Sequence, residues 1–197
     1  MIGLVLAGGQ SKRFGTDKAL YTFADQPVNN AALAVNRLRL ICETVLVSAS
    51  DRNVDALTSQ FADAPNVTVM TDQPPFAQHG PLSALYAATT VYPDDHDYLL
   101  LAVDYPRLSE EVLTTLAGVD NCYAVTPDTD HYTIAHLWLS KQAVAAYLNM
   151  GSFRLSRFIR DYCQCQQVHF PSSNGFINCN TIKEEIHHDT QITNERP

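Results

Sequence analysis

The chain has 197 residues, 46% of them hydrophobic and 17% charged, enough for one sizeable core and short for two independent domains. Lysines and arginines number 13 against 21 aspartates and glutamates, a formal net charge of −8, which argues against a broad basic surface for wrapping duplex nucleic acid. Any polyanion bound here must be small and held by local donors.

Short apolar runs with β-branched character alternate with amphipathic stretches of helical length, the order of a layered α/β fold with a mostly parallel sheet. The first strand is Ile2 to Leu6, and Asn29 to Leu40 carries Ala, Leu and Val at helical spacing. Thr44 to Ser48 follows as the second strand, completing one βαβ unit. Val67 to Met70 predicts a third strand, and Pro81 opens a helix through Leu82, Leu85 and Ala88, a position where its missing N–H costs nothing. Tyr98 to Val103 is the most apolar run, the signature of a strand buried on both faces, and Asp104 stands at its C-terminal end. Ser109 with Glu110 and Glu111 predicts a helix start. Strands are expected near Tyr123 to Val125 and Thr133 to Leu137, a helix around Lys141 to Leu148, and a further helix over Ser152 to Tyr162 carrying Arg154, Arg157 and Arg160 along one flank. The polar segment 187–197 ends in proline and reads as a frayed tail on a single domain spanning 1–197.

The longest apolar runs fall far short of the roughly 18 to 20 residues a membrane span needs. Met1 leads into its run without a basic segment, and the run breaks at Gly8-Gly9; the expected location is cytoplasmic. The five cysteines, Cys42, Cys122, Cys163, Cys165 and Cys179, form no Cys-x-x-Cys pair and read as reduced thiols. Neither they nor the seven histidines show the spacing of a structural metal site.

The most informative segment runs from Leu6-Ala7-Gly8-Gly9 through Arg13-Phe14-Gly15 to Asp17-Lys18. Two glycines after a strand let the backbone pass close to a ligand, and the N–H groups of such a turn can converge on phosphate oxygens. Arg13 suits forked bonding to two oxygens and Lys18 supplies a mobile point charge. A Walker loop is excluded because Gly15 is followed by Thr16 and Asp17, and a dinucleotide fingerprint because Gly8 and Gly9 are adjacent. The glycine pair taken alone is equally a tight βα turn on a solvated basic rim.

The whole string Leu6-Ala7-Gly8-Gly9-x-Ser11-x-Arg13-Phe14-Gly15-x-Asp17-Lys18 resembles the signature loop of the molybdenum cofactor guanylyltransferase family. Further matches follow in the family's order: Asp72 ahead of Gly80-Pro81-Leu82, Asp104-Tyr105-Pro106, Thr133-Ile134-Ala135, and Phe176 to Thr181. The resemblance spans residues 2 to 185. It implies a three-layer α/β sandwich with a mostly parallel central sheet, Rossmann-like, of the glycosyltransferase-A-type nucleotidyltransferase fold.

The resemblance also implies residue roles. The turn at Leu6, Ala7, Gly8 and Gly9 holds the nucleotide, with Arg13 and Lys18 facing its phosphates. Asp72 contacts the nucleotide, Ser48 sits where some members carry a nucleotide-contacting Asn, and Asp104 binds Mg2+. Asn178 and Asn180 stand beside metal and phosphates, orienting a phosphate or a metal-bound water. Read from the residues alone, Asp72 is equally a turn former, Asp104 a helix cap, and the asparagine pair the start of a last helix. Arg154, Arg157 and Arg160 are either holders of the acceptor's phosphate or a solvated face, and Lys12 reads as rim.

The implied reaction is transfer of GMP from MgGTP to the terminal phosphate of molybdenum-molybdopterin, with release of pyrophosphate. Its partners are these two small molecules, with molybdoenzymes or cofactor-biosynthesis proteins as possible protein contacts and no nucleic acid or membrane. Competing readings are a relative using CTP or a sugar phosphate, and a nucleotide-binding protein that delivers cofactor without turnover.

Overall fold

The computed structural model describes residues 1–9 and 15–179. Arg13, Lys12, Asn180 and the expected tail at 187–197 lie outside the described residues.

The strands are β1 (Ile2–Leu6), β2 (Thr44–Ala49), β3 (Val67–Thr71), β4 (His96–Ala102), β5 (Cys122–Val125), β6 (Asp130–Leu139) and β7 (Gln166–His169). They form one sheet in the order β3-β2-β1-β4-β6-β5-β7. Only β6 runs against the others. The helices are α1 (Asn30–Leu38), α2 (Val54–Gln60), α3 (Pro81–Val91), α4 (Glu110–Ala117), α5 (Lys141–Asn149) and the single turn α6 (Leu155–Arg157). Right-handed crossovers put α1 on one face and α3 on the other, because the chain moves outward from β1 through β2 to β3 and then returns past β1 to β4. α1 packs with α4, and α3 with α5. The expected α/β sandwich with a mostly parallel sheet is therefore the observed architecture.

Local chemistry explains the helix starts. The side chain of Asn29 accepts the Ala32 N–H at 2.9 Å, capping α1, and Ser140 does the same for α5 through Ala143 at 3.3 Å. Pro81 is the first residue of α3, after Gly80 at φ +67°. α3 is buried from Leu82 through Thr89, as a helix must be when a sheet covers one side and α5 another. β1 and the end of β4 are wholly buried, which agrees with their unbroken apolar runs.

Two elements have weak sequence signals. α2 buries only Leu57, and β7 is a four-residue edge strand of largely exposed polar side chains. The expected helix over Ser152 to Tyr162 differs from the observed structure. Only one α turn forms, and Phe158–Tyr162 continues as a π-helical turn closed by Cys163 N–H to Phe158 O at 2.8 Å. The wider turn breaks the three-residue spacing that would have aligned the arginines. Arg160 instead pairs with Asp161 on the surface at 2.8 Å.

Gly3 sets how closely α1 approaches the sheet. A Cβ there would lie 3.1 Å from Leu38 Cβ and 3.2 Å from Val45 Cγ2. Gly3→Val is expected to lower stability by about 1–3 kcal/mol through overpacking. Urea denaturation measures it, and a variant as stable as the parent would show that α1 can lift away from β1 without loss.

Candidate nucleotide site at the strand ends

The change of chain direction makes β1 and β4 neighbours at the point where an open α/β sheet leaves a crevice beyond its strand ends. The register aligns the site residues. Leu6 pairs with Ser48 of β2 and with Ala102 of β4, and Ser48 pairs with Met70 of β3. Gly8, Ser50, Asp72 and Asp104 each lie two residues beyond that shared row. Four residues separated by most of a hundred positions thus emerge from one edge of the sheet.

The ladder continues past the strands. Ala7 N–H donates to Ser48 O at 2.9 Å and Val103 N–H to Leu6 O at 3.3 Å, so the glycine turn and the Asp104 turn leave the sheet side by side. Neither Gly8 nor Gly9 has a positive φ. Among the described residues, a Cβ on Gly8 would come no closer than 3.5 Å and one on Gly9 would meet nothing within 4 Å. The backbone at this turn is therefore open to close approach from outside the described residues.

A cleft of about 720 Å3 opens on this turn, lined among others by Gly8, Gly9, Ser48, Asp72, Gly80 and Pro81. That falls within the roughly 300–1,000 Å3 of small-molecule sites. Asp51 and Arg52 line it as well. Asp72 also does the turn-forming work expected of it, accepting the Gln78 N–H at 2.9 Å and holding the loop that leads to α3. His79, next in that loop, donates its N–H to Ser83 Oγ at 2.7 Å and stacks on the half-exposed Phe153 ring at 3.8 Å.

Lys18 joins the two sides. Its Nζ lies 2.9 Å from Asp104 Oδ1, with the lysine side chain 10% exposed and the carboxylate side chain 30% exposed. The backbone beneath it is fixed: Asn30 Nδ2 donates to Lys18 O at 2.9 Å, and Ala31 N–H to Ala19 O at 2.9 Å. Asp17 Oδ1 accepts the Ala19 N–H at 2.9 Å and an N–H of the Asn53 side chain at 3.2 Å. Fully buried Asn53 also donates to Ala7 O at 3.1 Å, tying the start of the glycine loop to its far end. Its Oδ1 accepts the N–H of nearby Ser50 at 2.8 Å, but sequence reading missed the tie to the glycine loop, because Ala7 O and Asp17 Oδ1 are far away in the chain.

The Asp104-Tyr105-Pro106 turn is held from several directions. Cys179 N–H donates to Asp104 O at 3.0 Å, Arg37 Nη1 to Tyr105 O at 3.1 Å, and Arg37 Nη2 to Pro106 O at 2.6 Å. The residue expected to act here from the chain's end, Asn178, precedes Cys179, and among the described residues its buried Oδ1 meets no hydrogen-bond partner. Gly175, at φ +87°, lets that segment pass, since a Cβ would lie 3.0 Å from Arg107 O. Burial pushes the Tyr105 phenol up, against the bonds from Thr133 and Asn178. Tyr105 Oη lies 3.3 Å from His131 Nδ1, whose Nε2 lies 3.1 Å from Thr126 Oγ1. Burial also moves His131 down, toward the neutral ring. Burial thus favours the neutral form of both rings in this network.

The donor set at Asp104 suits magnesium bound together with phosphates. Among the described residues, no three His, Cys, Asp or Glu side chains gather to hold a metal, so the ion's remaining ligands would be phosphate and water oxygens, as magnesium prefers. Among the same residues, no helix is long and apolar enough to cross a membrane.

The chain is similar over its whole length to known proteins. A Polynucleobacter asymbioticus relative named "Molybdenum cofactor guanylyltransferase" is 27% identical over 92% of each chain. A Bacillus thuringiensis relative named "Probable molybdenum cofactor guanylyltransferase" is 27% identical over 98% of each. Among solved structures, a nucleotidyl transferase from Methanothermobacter thermautotroptrophicus superposes with a TM-score of 0.72 at 13% identity, covering 99% of this chain and 98% of that one, a likeness of fold. Residues 3–168 match the model of the MobA-like NTP transferase domain. With that match covering the glycine turn, the Asp104 turn and nearly the whole sheet, the chain belongs to the MobA-like NTP transferase family and is a nucleotidyltransferase.

Proposed function

We propose that this enzyme transfers GMP from MgGTP to the terminal phosphate of molybdenum-loaded molybdopterin and releases pyrophosphate. The observation that carries the reading is the 2.9 Å ion pair between Lys18 and Asp104, which brings the glycine loop and the end of β4 to one place. The names of the full-length relatives favour guanine nucleotide and molybdopterin as the substrates.

In this reading the nucleoside lies in the cleft over Leu6, Ala7 and Ser48, with Asp72 at its rim. Amides of the Gly8-Gly9 turn and the Lys18 ammonium face the triphosphate, and Arg13 adds a second cation from the same loop. Asp104 holds Mg2+, which when bound offsets charge on the α-phosphate and the departing pyrophosphate. The attacking phosphate monoester is already ionised, so no general base is required; positioning and charge neutralisation dominate. Asn178, and Asn180 beyond it, would orient a phosphate or a water beside Asp104. Arg154 and Arg157 are the nearer candidates for the acceptor's phosphate, since Arg160 is engaged with Asp161.

Incubation with each of the four nucleoside triphosphates and molybdenum-loaded molybdopterin, followed by mass spectrometry, should yield the guanine dinucleotide product. A cytosine product would reassign the donor, and binding of MgGTP without pyrophosphate release would make the protein a carrier. Asp104→Ala should fold normally and lose at least about 100-fold in turnover; wild-type rates in that variant would remove the proposed metal ligand. Lys18→Ala should weaken GTP binding by about 10-fold or more, as expected for loss of a charge-assisted contact. Calorimetry reads it, and unchanged affinity would argue against the phosphate grip.

A further inference from the structure

We propose that Arg37 is a positioning residue for nucleotidyl transfer: reaching across from the last turn of α1, it clamps the turn that carries Asp104 and so sets where that carboxylate meets magnesium-nucleotide. The inference rests on the proposed reaction and adds to it a residue that touches neither substrate nor metal.

Arg37 contributes two donors of one rigid guanidinium to two consecutive carbonyls, Tyr105 O at 3.1 Å and Pro106 O at 2.6 Å. Both residues follow Asp104 directly. Pro106 has no N–H to donate, and the turn is held through its carbonyls. The Leu108 N–H, at 3.2 Å from Tyr105 O, is the turn's own contribution. The guanidinium is kept charged in a place that opposes the charge: burial lowers its pKa, and Glu110 at the start of α4 works the other way. A cation held at this cost is matched to its fork geometry; a lysine would reach one carbonyl with a point charge, and alanine neither.

Clamping the turn has a specific consequence. Arg37 lies on the α1 side of Asp104, while the cleft that receives the nucleoside lies among β1, β2, β3 and the start of α3. Loosening the turn therefore affects the carboxylate and leaves the cleft walls in place. Removing Arg37 should weaken magnesium-dependent binding selectively, in the range seen when groups that orient a metal ligand are lost.

The test compares Arg37→Ala, Arg37→Lys and Arg37→Gln with the wild type in the full chain, by calorimetry with GTP in magnesium and with GTP in chelator, alongside chemical unfolding. Arg37→Ala is expected to bind MgGTP about 10-fold more weakly and metal-free GTP as the wild type does. Arg37→Lys should recover part of the loss. A folded Arg37→Ala with wild-type affinity for MgGTP overturns the proposal, and so does an equal loss with and without magnesium, which is general loosening. Failure of all three variants to fold would make Arg37 structural and overturn it as well. Absence of any magnesium-dependent GTP binding in the wild type would instead remove the proposed reaction itself, and the clamp with it.

Discussion

The site depends on the parallel pairing of β1 with β4, two strands almost a hundred residues apart in the chain that meet because the topology reverses between them. Leu6 opposite Ala102 places the glycine turn beside the Asp104 turn, and a slip of one residue would send the side chains of either strand to the other face of the sheet. Such a slip is opposed by the full burial of both strands here, since each would carry apolar side chains out of one layer into another. Lys18 then converts adjacency into contact. Its partner is not chosen by its own loop alone: Asn30 at the start of α1 and Asn53 ahead of α2 hold the segment from which it reaches.

A net charge of −8 makes anion binding a local problem. Over the surface as a whole a triphosphate meets repulsion, so attraction has to come from groups within a few ångströms. In the proposed reaction that attraction would come from main-chain amides of the glycine turn, the nearly buried Lys18 ammonium and the N-terminus of α3, whose Pro81 lines the cleft. Burial favours the neutral forms of Tyr105 and His131 beside Asp104, so this network adds no charge to the turn.

The parts of this design legible in the sequence are those written in local patterns. β1, β2 and β4 are runs of apolar β-formers, Pro81 marks its helix start, and the string from Leu6 to Lys18 carries both the turn and its cation. Other parts have no local pattern. α2 buries a single leucine and β7 is polar and short, so neither shows periodicity. The arginine spacing misled because it presupposes 3.6 residues per turn, and the π turn after Arg157 is wider. Arg37 acts on two backbone carbonyls and Asn53 on one besides the Asp17 carboxylate, and every residue possesses a carbonyl; nothing in the sequence marks which one a remote side chain will find.

That last point explains why the position of Asp104 is a property of the tertiary structure and not of its turn. Asp104 O, Tyr105 O and Pro106 O are each bonded by groups remote in sequence: Cys179 near the end of the described chain and Arg37 on the first helix. A typical bond of this kind contributes about 1 kcal/mol net, somewhat more when the donor is charged. Three together are enough to prefer one geometry of a short proline turn over its alternatives, though not to stabilise the domain. The buried Tyr105 side chain fastens the same turn to β6 on the other flank. The carboxylate thus projects from a backbone held on both sides, and the work of ordering it is done during folding, before any nucleotide arrives.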